Sequence, residues 1–198
     1  MKERPILFKG EMVRAILEGR KTVTRRALKM PHGYWETSPS GELVPVPINC
    51  PYGNPGDRLW VRETFAQVGH VDPGYLTYRA TYPRCLLAAH PDLENVPDDI
   101  RTVGERWRPS IHMPRSLSRI LLEVTDVRVE RLQAITDEQC VVEGIGLNDS
   151  AIGVKMTVPQ GESLPRFMFQ ELWKSINGAD SWDANPWVWV VEFKRIEP

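Results

Sequence analysis

Lys21, Thr24 and Glu143 bring together an amine, a hydroxyl and a carboxylate. Amide hydrolysis needs a nucleophile, a carrier for the proton of the leaving amine and stabilisation of the developing oxyanion, and this trio meets that minimum. Lys21 and Thr24 lie in the run Arg20-Lys21-Thr22-Val23-Thr24-Arg25-Arg26. In a straight strand that spacing would turn them to opposite faces, so a shared site requires Lys21 to sit in the turn after Gly19, before the strand begins. Glu143 falls in the last turn of a short helix, where a carboxylate meets the unfavourable end of the dipole, a setting suited to proton transfer. Plainer readings compete: Thr24 as an ordinary β-branched strand residue, Lys21 as a solvated charge behind a helix end, and Glu143 as an exposed glutamate.

Other residues could grip a substrate. Trp60 and Arg62 share one face of a strand, and Trp107, Arg108, Ser110 and His112 occupy a loop ahead of the longest strand. Such side chains stack on bases and contact phosphate or sugar. The alternative makes the tryptophans core, the arginines rim and His112 a hydrogen-bonded structural histidine. Arg20, Lys21, Arg25, Arg26 and Lys29 concentrate positive charge locally, which fits either phosphate attraction or a solvated surface.

The whole chain has 25 Lys plus Arg against 26 Asp plus Glu, a formal net charge of -1, which excludes the broad positive field of a dedicated duplex binder. His32, His70, His90 and His112 show no HxxxH or HExxH spacing, so no metal is expected, and the amide hydrolysis read from Lys21, Thr24 and Glu143 calls for no organic cofactor. Cys50, Cys85 and Cys140 are odd in number and widely spaced, as reduced thiols are. With no apolar run of the roughly 20 residues a membrane span requires, and no secretory pattern in MKERPILFKG, the reading is a cytoplasmic protein without membrane contact.

The elements that must hold these residues can be read from periodicity. Met12, Val13, Ile16 and Leu17 recur at helical spacing and Gly19 ends the helix, predicted over 11–18. A strand follows through Val23. Residues 30–55 are rich in Pro, Gly, Asn and Ser and read as an insertion or long loop, and 82–106 read as a surface excursion. Strands are predicted over 58–66, around 75–81, over 119–132 and over 187–196. In 119–132 the apolar phase switches after Val124, which predicts a β-bulge near Thr125-Asp126. Thr136-Asp137-Glu138-Gln139 has capping-box spacing for a short helix ending at Gly144, and a third helix is predicted from Ser163 or Leu164 to Ile176. At 198 residues this amounts to one elaborated α+β domain, 1–198, with strands dominant and helices peripheral.

The run Gly19-Arg20-Lys21-Thr22-Val23-Thr24-Arg25-Arg26, then Gly56-Asp57-Arg58-Leu59-Trp60-Val61-Arg62-Glu63, then Ile135-Thr136 followed by Glu143-Gly144-Ile145, resembles the ASCH branch of the PUA-like superfamily. The closing Trp187-Val188-Trp189-Val190-Val191-Glu192-Phe193 is similar to that family's last strand. The resemblance runs from Pro5 to Ile196 as islands separated by the two excursions, and takes in bacterial acetylcytidine amidohydrolases and larger phage-type ASCH proteins. It implies a curled, mixed but mostly antiparallel β-barrel whose cleft faces RNA or a modified base, and in some small members hydrolysis of acetylated cytidine to cytidine. In those enzymes the lysine and second threonine of the K-T-x-T run and a helical glutamate serve the reaction, and these correspond to Lys21, Thr24 and Glu143. This chain departs from the small enzymes in its length and its extra aromatic loops, which bears on the substrate. The expectation is a metal-independent amidohydrolase acting on acetylated cytidine or a related modified nucleoside. A non-catalytic RNA or modified-base binding module, with single-stranded RNA as partner, and a ribonuclease using the same cleft are the alternatives.

Overall fold

The last strand, β9 (Trp187–Ile196), is buried on both faces in the computed structural model, which describes residues 1–29, 33–41, 43–47, 49–70, 72–145 and 158–196. Its alternation divides the interior. Trp189, Val191 and Phe193 join one apolar cluster with Ile6, Phe8, Val13, Ile16, Leu59 and Val61, whereas Val188 and Val190 join another with Val23, Leu132, Ile135 and Phe169. A strand with apolar side chains on both phases belongs inside a sheet covered on two sides.

That sheet has the order β1-β5-β8-β9-β2, from β1 (Glu3–Leu7), β5 (Arg58–Arg62), β8 (Leu121–Arg131) and β2 (Val23–Ala27). Only β1 and β5 run parallel; the other three neighbour pairs are antiparallel. The mixed α+β architecture read from the sequence is therefore present. The main sheet is open among the described residues, with β1 and β2 as its edges. The predicted bulge lies between Val124 and Asp126, where the β8–β9 register shifts. It lets Val124 face the core while the following apolar residues of β8 continue on the other phase.

Three helices frame the site. α1 (Gly10–Leu17) buries Val13, Ala15 and Ile16 against the first cluster. Short α3 (Asp137–Val142) and longer α4 (Leu164–Asn177) cover the second, where Cys140, Met168, Phe169 and Trp173 are buried. The α4 helix starts at Ser163, whose hydroxyl accepts from the Arg166 N–H.

Two expectations need correction. The stretch 30–55 contains an antiparallel hairpin, β3 (Gly33–Thr37) with β4 (Leu43–Pro47), rather than only loop. A two-stranded hairpin has an open edge on each side, so Pro45 and Pro47 need no ladder donor there. The predicted strand 58–66 is two strands, since β6 (Phe65–Val68) leaves the main sheet to pair with β7 (Tyr75–Tyr78). The break falls at Glu63 and Thr64. Glu63 is 2% exposed and held through both carboxylate oxygens by Arg119, at 2.9 Å each. The excursion 82–106 contains a short helix, α2 (Arg84–Ala89), and packs Leu86 and Ile100 against Ala66 and Val68 as a third cluster.

Candidate functional site

The turn that ends α1 places Lys21. Gly19 takes a left-handed conformation, φ 74°, and the Arg20 and Lys21 backbone N–H groups both donate to the Ala15 carbonyl. Lys21 thus precedes β2, as a shared site with Thr24 requires. Its side chain runs inward and its ammonium donates to three acceptors: the Val23 carbonyl at 2.7 Å, the Glu143 carbonyl at 2.7 Å and Glu143 Oε2 at 2.8 Å. Three acceptors match the three N–H bonds of a charged lysine. Lys21 does cap a negative helix end, but that of α3, through the Glu143 carbonyl. It is 2% exposed, so the solvated-charge reading is excluded. Burial pulls its proton affinity below the ordinary lysine range, Glu143 opposes that pull, and Arg26 and Arg25 reinforce it.

Glu143 is fixed by the capping box of α3. The Gln139 N–H donates to the Thr136 hydroxyl at 3.3 Å, and the Gln139 side-chain oxygen accepts from the Thr136 N–H at 3.1 Å. The same Gln139 oxygen accepts from Arg25 Nη2 at 2.8 Å, coupling the helix start to strand β2. Arg25 also donates through Nη1 to Glu143 Oε1 at 3.3 Å and through Nη2 to Glu130 Oε2 at 3.2 Å. Glu143 is 4% exposed and lies between two cations, so it is no surface glutamate. Gly144 permits this closeness. Its φ is 92°, and a Cβ there would stand 3.0 Å from the Ala15 Cβ and 3.1 Å from the Lys21 Cβ.

Above this network opens a cavity of about 310 Å³. Thr24, Arg25, Arg26 and Glu143 form its polar wall, and Phe8, Phe169, Leu172, Trp173 and Ile176 much of its apolar one. Thr24 is 3% exposed. Lys21 lies behind the wall rather than in it, and its three donors do not reach the Thr24 hydroxyl. The Nε–H of Arg25 and the indole N–H of Trp173 are buried without a hydrogen-bond partner in the protein. Arg26 donates to the Leu7 carbonyl at 2.6 Å and stands 5.3 Å from the Phe8 ring centre.

No family model, curated protein or solved structure matches this chain. What the cavity does must follow from its own residues.

Lys21, Thr24, Glu143, Arg25, Arg26 and Ser110 thus lie in or directly behind one cavity. The other predicted gripping residues do not line it. Arg62 donates to the Ile111 carbonyl and lies 5.4 Å from the Trp60 ring. Trp107 packs edge-on against Tyr82, 5.5 Å between centres, beside the third cluster. Arg108 is tied by backbone to Phe65, and His112 is exposed in a single helical turn. Of the basic patch read from the sequence, Arg20 pairs with Glu18, Lys21 and Arg25 are buried against acids, and Arg26 lines the cavity. Among the described residues no His/Cys/Asp/Glu cluster could hold a metal; His32 lies outside them. Nor among them is there a helix long and apolar enough to cross a membrane.

Sequence reasoning missed Glu130, Gln139, Phe8 and the α4 wall. Gln139 was visible only as a cap, and its second hydrogen bond depends on β2 lying beside α3. Cys140, one helical turn before Gly144, is no rival nucleophile: burial pushes its thiol up to about 12.

Proposed function

We propose that the protein is a metal-independent amidohydrolase that removes the acyl group from the exocyclic amine of an acylated cytidine or a related modified nucleoside. The observation that carries this reading is the joint placement of the Thr24 hydroxyl and Glu143 carboxylate on one cavity, with the Lys21 ammonium buried directly behind Glu143. The aromatic wall of Phe8, Phe169 and Trp173 suits a base, and the unpartnered donors of Arg25 and Trp173 suit its ring acceptors.

In this mechanism the Thr24 oxygen attacks the acyl carbon and its proton passes to Glu143. The Lys21 and Arg25 cations stabilise the negative charge that develops. The C–N bond breaks as Glu143 returns the proton to the departing amine, leaving the acyl group as an ester on Thr24. Water, deprotonated by Glu143, then cleaves the ester, releasing the carboxylic acid and restoring the hydroxyl. The ASCH-like, barrel-like reading of the fold belongs to the same proposal. Its support is the K-T-x-T run that leads from the turn after α1 into edge strand β2 and the Arg26 contact to the Leu7 carbonyl, which draws the two sheet edges together.

A second reading, a non-catalytic pocket for a modified base, is favoured by the complete satisfaction of the Lys21 donors. Incubation with N4-acetylcytidine, with and without chelator, separates the two. Release of equimolar cytidine and acetate, unaffected by chelator, is the expected result. Tight binding without turnover across a panel of acylated nucleosides would transfer the assignment to the binding module.

A further inference from the structure

We infer that the substrate carries a phosphate on its sugar, and that a second, basic pocket beside the first receives it. This rests on the nucleoside reading of the first cavity. The second cavity, about 400 Å³, shares Lys9 and Thr64 with the first, so one ligand can enter both.

The second pocket is built at the start of α1. Lys9 occupies the N-cap position in extended conformation, and no side chain caps the helix. Arg14 folds back over the same end: its Nη1 lies 3.8 Å from where a Gly10 Cβ would be, while donating to the Ala80 carbonyl at 3.1 Å. Lys9 and the Arg14 side chain thus bring two cations to the helix start, partly offset by Glu11 in its first turn, and an anion entering there meets a favourable dipole end. Arg79 adds a third cation. Its backbone N–H donates to the Thr64 carbonyl at 2.9 Å, which fixes it beside the shared residue, and its exposed guanidinium forms no salt bridge among the described residues. Asp99, which also feels Arg79, is already held by Arg101.

Of the two acids lining the pocket, Glu63 has both oxygens taken by Arg119. That leaves Glu11 against Lys9, Arg14 and Arg79. The ligand chemistry this selects is the anionic, non-bridging oxygens of a phosphate one sugar away from the base. A terminal phosphate of a mononucleotide and an internal phosphodiester of an oligoribonucleotide both supply it.

The test compares binding of cytidine, cytidine 5′-monophosphate and a short cytidine-containing oligoribonucleotide by calorimetry, alongside hydrolysis of N4-acetylcytidine and its 5′-monophosphate. The monophosphate should bind about tenfold more tightly than cytidine, from one helix end and partly exposed charge pairs, and the advantage should fade with added salt. Arg79→Ala should lower the monophosphate-to-cytidine ratio about threefold and Arg79→Lys should restore most of it. Equal affinity for cytidine and its monophosphate in the native protein overturns the phosphate pocket even if acetylcytidine is hydrolysed. Tighter monophosphate binding with no hydrolysis leaves the pocket standing and removes the amidohydrolase. An oligoribonucleotide bound as well as the monophosphate assigns the phosphodiester; preference for the monophosphate assigns the terminal group.

Discussion

Replacing Glu143 by Gln removes one charge from a site almost closed to solvent. The Lys21 side chain is 0% exposed and the Glu143 side chain 5%. After Glu143→Gln the Lys21 ammonium keeps the Val23 and Glu143 carbonyls but loses the only carboxylate it bonds among the described residues. Arg25 retains Glu130 and Gln139. Stranding a buried charge costs about 3–5 kcal/mol, and the surviving acceptors place this case near 3 kcal/mol. In a chain of this size that lowers Tm by roughly 6–12 °C. The assay is thermal and urea unfolding of Glu143→Gln, Lys21→Met and the double variant. Because the double variant strands no charge, it should be more stable than the sum of the single losses predicts, by about 2 kcal/mol or more. Additive losses, or a Tm within about 2 °C of the native protein for Glu143→Gln, would refute the buried-pair account.

Thr24→Ala should lower kcat for N4-acetylcytidine about 100-fold or more, and Thr24→Ser should recover part of it; full activity in the alanine variant would end the threonine mechanism. Gly144→Ala should destabilise by about 2 kcal/mol or more in urea unfolding, because alanine resists φ 92° and its Cβ would press on Ala15 and Lys21. Since Lys21 holds its proton less tightly in the folded chain than in the unfolded one, its linkage gives stability that rises with pH. That rise begins at the lowered folded value and is complete above the unfolded value of about 10.4. Removing the Glu143 attraction extends the window downward, so the stability of Glu143→Gln should begin to rise at lower pH than that of the native protein. The rise should be absent in Lys21→Met, as paired unfolding curves across pH will report.

The elements that could be read directly from residues were those whose burial follows one period. Met12, Val13, Ile16 and Leu17 announce α1, and Thr136 with Gln139 announces α3 down to its capping box. The phase switch after Val124 announces the bulge, because a register shift must appear as a change in which residues are apolar. Sheet closure has no such local signature. Whether β1 and β2 meet depends on twist and on contacts between segments far apart in sequence, such as Arg26 with Leu7, and alternation carries no record of either. The hairpin of 33–47 was hidden for a different reason: its prolines argue against strand, and an isolated two-stranded ribbon tolerates them.

For the site, the sequence located Lys21, Thr24 and Glu143 but not the electrostatic surroundings that define them. A run of five basic residues within ten positions suggests a positive surface, yet the fold turns two of them inward onto Glu143 and Glu130, more than a hundred positions later. Part of the charge that is contiguous in sequence therefore acts internally, holding a buried carboxylate in the cavity wall. The positive pocket that does face solvent is assembled from Lys9, Arg14 and Arg79, on a loop, a helix and the end of a hairpin. Lys9 and Arg14 have no periodic reason to converge with Arg79; the Thr64 carbonyl, bonded to the Arg79 N–H, and the Ala80 carbonyl, bonded to Arg14, tie the end of the hairpin to the cavity's rim. A buried cation positions a reacting group, whereas an exposed one at a helix start attracts an anion, and the difference lies in burial rather than in residue type. The division of labour between Lys21 and Arg79 follows: one should govern stability and turnover, the other the preference for phosphate.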